Sequence, residues 1–339
     1  MKVLVTGAAG HVASLAMPGL SARHVLRLTD LREPAVLPDR AEYLQSNLLL
    51  ASEAEIGSLF KGIDVVVHSA YIPSGAPDVY SLTPPQIEQF KRDGFIKLKQ
   101  VLSPETLAHY GREITRLTIE LNTESRPLAE RSTYDRAFLQ VMNLWERSAL
   151  VARFVMGQRL ARIAAELLEV RGVRLYHDQS LYKEPGGGIT PAHADQYYWP
   201  LASDRTVTAW IPLQPVPDEM GPLGFWPGSQ REAVGRELSI GDESEAVIGE
   251  HLARRGYAFE VGAFELGEVS FHLGWTFHKA GPNTGTQPRS VMTVIYMDAA
   301  MRLVPALSAI QANDRDQWCP GAREDEVIAT RKNPVIWSH

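Results

Sequence analysis

The sequence predicts a mainly β protein, a jelly-roll with flanking α-helices, preceded by a small truncated α/β segment that is Rossmann-like. Two observations carry this. From residue 174 onward, aromatic and β-branched runs ("RLYHDQSLYKE", "TVTAWIPLQ", "GPLGFWPG", "EVSFHLGW", "SVMTVIYMDAA") follow one another between Gly/Pro turns, with a helical interval only around 230–255. Short strands so spaced argue for an antiparallel barrel of the jelly-roll, or double-stranded β-helix, type. Before residue 75, strand-like and helix-like runs alternate instead, the pattern of a parallel α/β sheet.

The first segment, residues 1–78, opens with the apolar strand run "KVLVT" (2–6), the Gly-rich "GAAGHVA" and a small-residue helix. A second strand is expected at 24–30, a third at 42–47, a helix at 52–62 and a fourth strand at 64–70. Gly7 and Gly10 would let the backbone approach a pyrophosphate at the helix N-terminus, and Asp30 could hold a ribose hydroxyl. The stretch resembles the start of NAD-dependent epimerases and extended short-chain dehydrogenases, which implies NAD(P) as ligand. It departs from that family in three ways. Ala13 stands where the third glycine would be, no Tyr-x-x-x-Lys pair occurs in the chain, and the alternation stops after four strands.

Bulk composition narrows the function. In 339 residues, 45% are apolar and 22% charged, the make-up of a globular protein without membrane spans. A net charge of −6 without a basic run gives no footprint for nucleic acid or an anionic membrane, which leaves a small molecule as the expected partner. The single cysteine, Cys319, rules out a disulfide framework or a cysteine-rich metal site and reads as a stray thiol. The apolar start is broken by Thr6, Gly7, Gly10 and His11, so it reads as folded chain rather than a signal peptide, and a cytoplasmic location is expected.

The segment 72–85, rich in Pro, Gly and Ser, reads as a linker into a second domain over 79–339. Its opening gives a Thr-capped helix, the strand "GFIKLKQ" and a helix begun by Ser103-Pro104-Glu105. Further helix to about residue 169 is read as a supporting wall without chemistry. The charged, Gly-punctuated stretch 231–262 is either a lid over the barrel mouth or a solvated excursion.

Chemistry concentrates in "PAHADQYYWP" (191–200). One His-x-Asp triplet proves little, since chance supplies about 0.4 of them in such a chain. An iron(II) oxygenase site, however, needs two imidazoles and one carboxylate on one face of the ion. His193 and Asp195, two apart on a strand or its end, point the same way. The third ligand must come from a distant strand, and "SFHLGWTFHKAGPNTGTQPRS" offers His272 and His278. His278 is favoured, because it precedes the turn "AGPN" and lies 11 residues before Arg289, whose planar fork suits a terminal carboxylate. His272 reads as a core residue or a neighbour supporting the ligands.

These motifs, "HDQSLYKEPGGGITPAHADQYYWPL", "TVTAWIPLQPV", "GPLGFWPGSQR" and "HKAGPNTGTQPRS", together with the opening "LTPPQIEQFKRDGFIKLKQVLSPETL", resemble the phytanoyl-CoA dioxygenase family of iron(II)/2-oxoglutarate oxygenases over residues 82–300. The resemblance implies His193, Asp195 and His278 as iron ligands. It implies Arg289 as anchor of the 2-oxoglutarate C5 carboxylate, and Lys183 and Trp210 as walls or polar contacts of the co-substrate pocket. The expected reaction uses O2 and 2-oxoglutarate to hydroxylate a small metabolite or natural-product intermediate, releasing succinate and CO2. Tyr197, Tyr198 and Trp199 lie where they could line the substrate cleft, though on a strand their side chains would alternate. Two positions depart from the family pattern, Ala194 for glutamine and Ala280 for serine. Asp195 retains the carboxylate that related halogenases replace with a small residue, which favours oxygen insertion. Two other readings stay open: an NAD-dependent oxidoreductase or epimerase built on the first segment, and a jelly-roll that binds without catalysis.

Overall fold

A computed structural model of the chain describes residues 1–9, 11–30, 33–34, 36–46, 51–68 and 80–339. It divides into two compact units, one within Met1–Pro73 and one within Ser74–His339. No helix among the described residues is long and apolar enough to cross a membrane.

The first unit contains β1 (Lys2–Thr6), α1 (His11–Ser21), β2 (Val25–Thr29), β3 (Glu42–Tyr43), α2 (Glu53–Phe60) and β4 (Val65–His68). Its strands pair in parallel in the order β3-β2-β1-β4. Val3, Val5, Leu26 and Leu28 bury against Ala13 and Met17 of α1, as apolar strands covered by a crossover helix must. Ser52 caps α2 in a reciprocal capping box with Glu55. Gly7 turns the chain after β1 with a positive φ, and the Ala9 amide donates to the Asp30 carboxylate at 2.9 Å. Gly10 and most of the 72–85 linker lie outside the described residues.

In the second unit the helical opening runs α3 (Pro84–Asp93), β5 (Phe95–Leu98), α4 (Pro104–Leu121), α5 (Thr133–Ala137), β6 (Leu139–Met142), α6 (Ala149–Val155) and α7 (Gln158–Leu168). The β region follows with β7 (Gly172–Lys183), β8 (Thr190–His193), β9 (Thr206–Pro212), β10 (Leu223–Phe225), α8 (Asp242–Arg254), β11 (Val269–Leu273), β12 (His278–Ala280), β13 (Arg289–Asp298), α9 (Ala309–Trp318) and β14 (Val335–Ser338). A seven-stranded antiparallel sheet runs β14-β7-β13-β9-β11-β5 with β6 also on β7, and a smaller sheet runs β10-β12-β8.

Helices α4, α6 and α7 place Leu107, Ile114, Val151, Phe154, Leu160 and Ile163 against one face of the large sheet. That leaves the other face to the site. The stretch before residue 169 is therefore not helix alone: β6 extends the sheet and, with α5, brings side chains to the cavity described below. Asp178 of β7 is fully buried and accepts amide hydrogens from Leu144 (2.9 Å) and Trp145 (3.3 Å), fixing the turn that follows β6. Burial pushes its carboxyl up to about 7.

Candidate metal centre and co-substrate cavity

Register builds the centre. β8 ends at His193, β12 begins at His278, and the two residues are direct partners across the small sheet, with ring centroids 4.2 Å apart. Each ring is oriented by its own backbone: His193 Nδ1 lies 2.7 Å from the Pro191 carbonyl and His278 Nδ1 2.9 Å from that of Thr276. Both Nε2 atoms then turn toward Asp195 Oδ1, at 3.6 Å and 3.7 Å. One ligand atom from each of the three residues falls within 4.8 Å of the others, so His193, Asp195 and His278 could hold one ion.

Asp195 reaches this point from a different backbone than the alternation of a strand would supply. The strand stops at His193, and Asp195 opens a 3-10 turn (Asp195–Tyr198). Its second oxygen, Oδ2, is fixed by the Thr208 hydroxyl at 2.8 Å and by His272 Nε2 at 3.2 Å. His272 is therefore a buried support of the carboxylate, and Thr208, its cross-strand partner, is a support that the motif reading missed.

Electrostatics prepares the donors. Burial drives both His193 and His278 toward the neutral imidazole. Burial would also raise Asp195, but the nearby imidazoles of His278 and His272 outweigh it and hold the carboxyl below the usual range. Neutral imidazoles and an ionised carboxylate are the forms that bind metal. Two imidazole nitrogens and one carboxylate oxygen on one side of a point, with the other side open to a cavity, suit iron(II).

That cavity, about 360 Å3, is lined by His193, Asp195 and His278 and continues to Trp210 and Arg289. Arg289 opens β13 and is buried. Its Nη1 donates to the Gly221 carbonyl, its guanidinium lies 5.4 Å from the Trp210 ring centre, and its Nε has no partner. Among the described residues no carboxylate pairs with it, and burial pushes its pKa down to about 9. A buried guanidinium with an unsatisfied donor at a cavity wall could seat a carboxylate.

Lys183, expected as a wall or polar contact of the co-substrate pocket, sits next to Arg289. It faces Arg289 in the register of β7 and β13 but is not part of the cavity wall. Its side-chain nitrogen points away, to the carbonyls of Gly188 (2.6 Å) and Gly281 (2.7 Å) and the Thr190 hydroxyl (3.3 Å), bracing the loops around β8 and β12, and burial together with the nearby Arg289 charge pushes its pKa down to about 6. The aromatic triplet also divides differently from strand alternation. Tyr198 and Trp199 line the cavity, whereas Tyr197 is outside the wall and its carbonyl accepts from Gln311.

In the 231–262 stretch, Ile240 lines the cavity and its amide donates to the Tyr198 hydroxyl at 2.9 Å. The rest is docked behind the small sheet. Glu245 of α8 accepts from the Ala192 amide and from Lys279, and Ile248 and Leu252 pack with Ala192, Ala194 and Phe277. Sequence reading missed the far wall entirely: Tyr134 and Gln140 from α5 and β6, and Asn313, Asp314, Gln317 and Trp318 from α9. The only signal was a polar helix late in the chain, indistinguishable from a solvated one.

Comparison with known proteins agrees with this geometry. The model of the phytanoyl-CoA dioxygenase (PhyH) family matches residues 90–291, more than half of the chain. Ectoine dioxygenase of Bordetella parapertussis is 24% identical over 70% of this chain and 84% of its own length. That of Streptomyces coelicolor is 26% identical over 48% of this chain, and the match spans only 56% of that protein. The crystal structure of the epimerase SnoN in complex with Fe3+, alpha ketoglutarate and nogalamycin RO superposes with a TM-score of 0.63 at 25% identity, covering 75% of this chain and 98% of that one. EctD from S. alaskensis with 2-oxoglutarate and 5-hydroxyectoine gives a TM-score of 0.56 at 20% identity, over 76% and 92% of the two chains. The shared architecture is the double-stranded β-helix; none of the matched family segment includes the first unit. The chain belongs to the phytanoyl-CoA dioxygenase family and is a 2-oxoglutarate-dependent non-haem iron dioxygenase.

Proposed function

We propose that the enzyme hydroxylates a small-molecule metabolite or natural-product intermediate, consuming O2 and 2-oxoglutarate and releasing succinate and CO2. His193, Asp195 and His278 serve as the iron ligands and Arg289 holds the C5 carboxylate of 2-oxoglutarate. The observation that carries this reading is the convergence on one cavity of three donor atoms within 4.8 Å and a buried guanidinium whose Nε lacks a partner. The names of similar proteins support the substrate size, since they include ectoine dioxygenases and an epimerase solved with nogalamycin RO.

Bound iron(II) with 2-oxoglutarate supplies the activation of O2, coupling decarboxylation of the keto acid to oxidation of a C–H bond. The protein supplies position. Thr208 and His272 keep one oxygen of Asp195 occupied so that the other faces the imidazoles. Arg289 and Trp210 fix the remote end of the keto acid, which orients its reactive end without contacting it. Leu181, Leu223 and Phe138 keep that end of the cavity apolar, so water has few partners there.

The test is an anaerobic titration of metal-free protein with iron(II) and 2-oxoglutarate, read by the visible metal-to-ligand charge-transfer band. The band is expected in the native protein and lost in His193→Ala and His278→Ala. A full-strength band in either variant would assign the ligands elsewhere.

A further inference from the structure

We propose that the substrate presents a cationic amine and that Asp314, on the α9 wall of the cavity, receives it. This rests on reading the cavity as the iron(II)/2-oxoglutarate site and names the class of molecule that site takes.

Asp314 is half-buried and lines the same cavity as the iron-ligand set. Its Oδ1 accepts from Trp318 Nε1 at 3.0 Å and its Oδ2 from the Tyr176 hydroxyl. Each oxygen has a lone pair left over. No cation answers it among the described residues: Lys332, 5.6 Å from the Trp318 ring, is paired with Glu146, and Arg315 is paired with Asp316. At the other end of the cavity the charges cancel. The positive charges of a ferrous ion and Arg289 are matched by Asp195 and the two carboxylates of 2-oxoglutarate. Asp314 is the one acidic group of the wall left without a counter-charge, and a monocation is its complement.

The surroundings fit the same ligand. Trp318, which donates to Asp314, clusters with Trp199 and Tyr198 on the same cavity wall, and such rings attract ammonium groups. His177, beside them, is held neutral by burial, its pKa down at about 4. An anionic substrate would meet Asp314 and find no cation but Arg289, which the keto acid occupies. Burial pushes the Asp314 carboxyl up to about 7; Tyr176, Trp318 and Cys319 are the groups that interact with it, and none carries a positive charge at that pH. A bound amine would draw the proton off. If Asp314 only ties α9 to β7 through Tyr176, the cavity has no reason to prefer a cation.

The experiment titrates the full-length protein with benzylamine, benzyl alcohol and benzoate, reading tryptophan fluorescence, to which Trp199 and Trp318 contribute. Benzylamine is expected to bind at least about tenfold tighter than either isostere. Its affinity should rise between about pH 6 and 8 as Asp314 ionises, while that of benzyl alcohol stays flat. Asp314→Asn should erase the preference, and Asn313→Ala, on the same helix, should keep it. Equal or tighter binding of benzyl alcohol or benzoate, or no saturable response to benzylamine, overturns the proposal. Should Asp314→Asn fail to fold, the comparison of the three ligands in the native protein decides alone. This readout needs no iron, so absence of the charge-transfer band in the native protein would refute the oxygenase assignment without touching the amine preference, and the reverse also holds.

Discussion

The Thr208 hydroxyl donates to Oδ2 of Asp195 at 2.8 Å, from a strand position whose cross-strand partner, His272, reaches the same oxygen at 3.2 Å. Two adjacent strands of the large sheet thus hold one oxygen of a carboxylate that belongs to neither. The other oxygen is left to face His193 and His278.

Thr208→Val keeps shape and removes this donor. Iron(II) affinity is expected to fall about tenfold, within the range usual for groups that orient metal ligands. Competition with a coloured chelator measures it, and affinity equal to that of the native protein would show that His272 alone suffices.

Arg289→Ala is expected to weaken 2-oxoglutarate binding by at least about 30-fold, the lower end for truncating one member of a buried charged pair. Arg289→Lys should restore only part, since a point charge cannot replace the planar fork. Without the keto acid, the buried guanidinium is an uncompensated charge, so the rise of Tm with 2-oxoglutarate should be large in the native protein and absent in the alanine variant. Calorimetry with and without the keto acid checks both.

Gly221 supplies the carbonyl that holds Arg289 Nη1, and it does so with φ at +66°, packed against the backbone of Gly281 and Pro282. A Cβ there would collide with both carbonyls and disfavour the left-handed backbone. Gly221→Ala is therefore expected to cost about 1–3 kcal/mol and to weaken 2-oxoglutarate binding as well. Normal keto-acid affinity in a destabilised variant would separate the two roles.

Asp178 gives a pH signature. Its carboxyl is raised from 3.8 to about 7 by burial, so between about pH 4 and 7 the native state keeps a proton that the unfolded chain has released. Raising the pH through that window works against the fold by up to about 1.4 kcal/mol per pH unit. Its neighbour His177, lowered from 6.5 to about 4, acts oppositely: its contribution is present above 6.5 and lost as the pH falls toward 4. Asp178→Asn should gain on the native protein steadily from about pH 5 to 7.5 in urea unfolding, after a constant penalty for one lost amide hydrogen bond. A difference independent of pH would place the charge elsewhere.

The cluster of His193, Asp195 and His278 was legible because its signal is local: a His-x-Asp beside a strand end, then a distant histidine followed by an arginine that opens a strand. Strand period also found β7, β9, β10, β11 and β13, but not β6 or β14. It failed where the chain leaves the period. The turn at Asp195 splits Tyr197 from Tyr198 and Trp199 by geometry that alternation does not encode. Lys183 shares the register of Arg289, yet its long stem carries the side-chain nitrogen to backbone carbonyls that no motif reveals. The α9 wall was invisible because Asn313, Asp314 and Gln317 look like any polar helix surface until tertiary packing turns them to the cavity. Cys319, read as a stray thiol, is buried and its thiol is pushed above the usual range by burial.

The division of the cavity between β-sheet and α9 has a consequence for how such an enzyme can diversify. The oxidising half is locked by ladder bonds, where one slipped residue would scatter the donors. The opposite half draws Asn313, Asp314, Gln317 and Trp318 from α9, a helix that stands outside those ladders. New clientele can be acquired there while the machinery that handles oxygen is inherited unchanged.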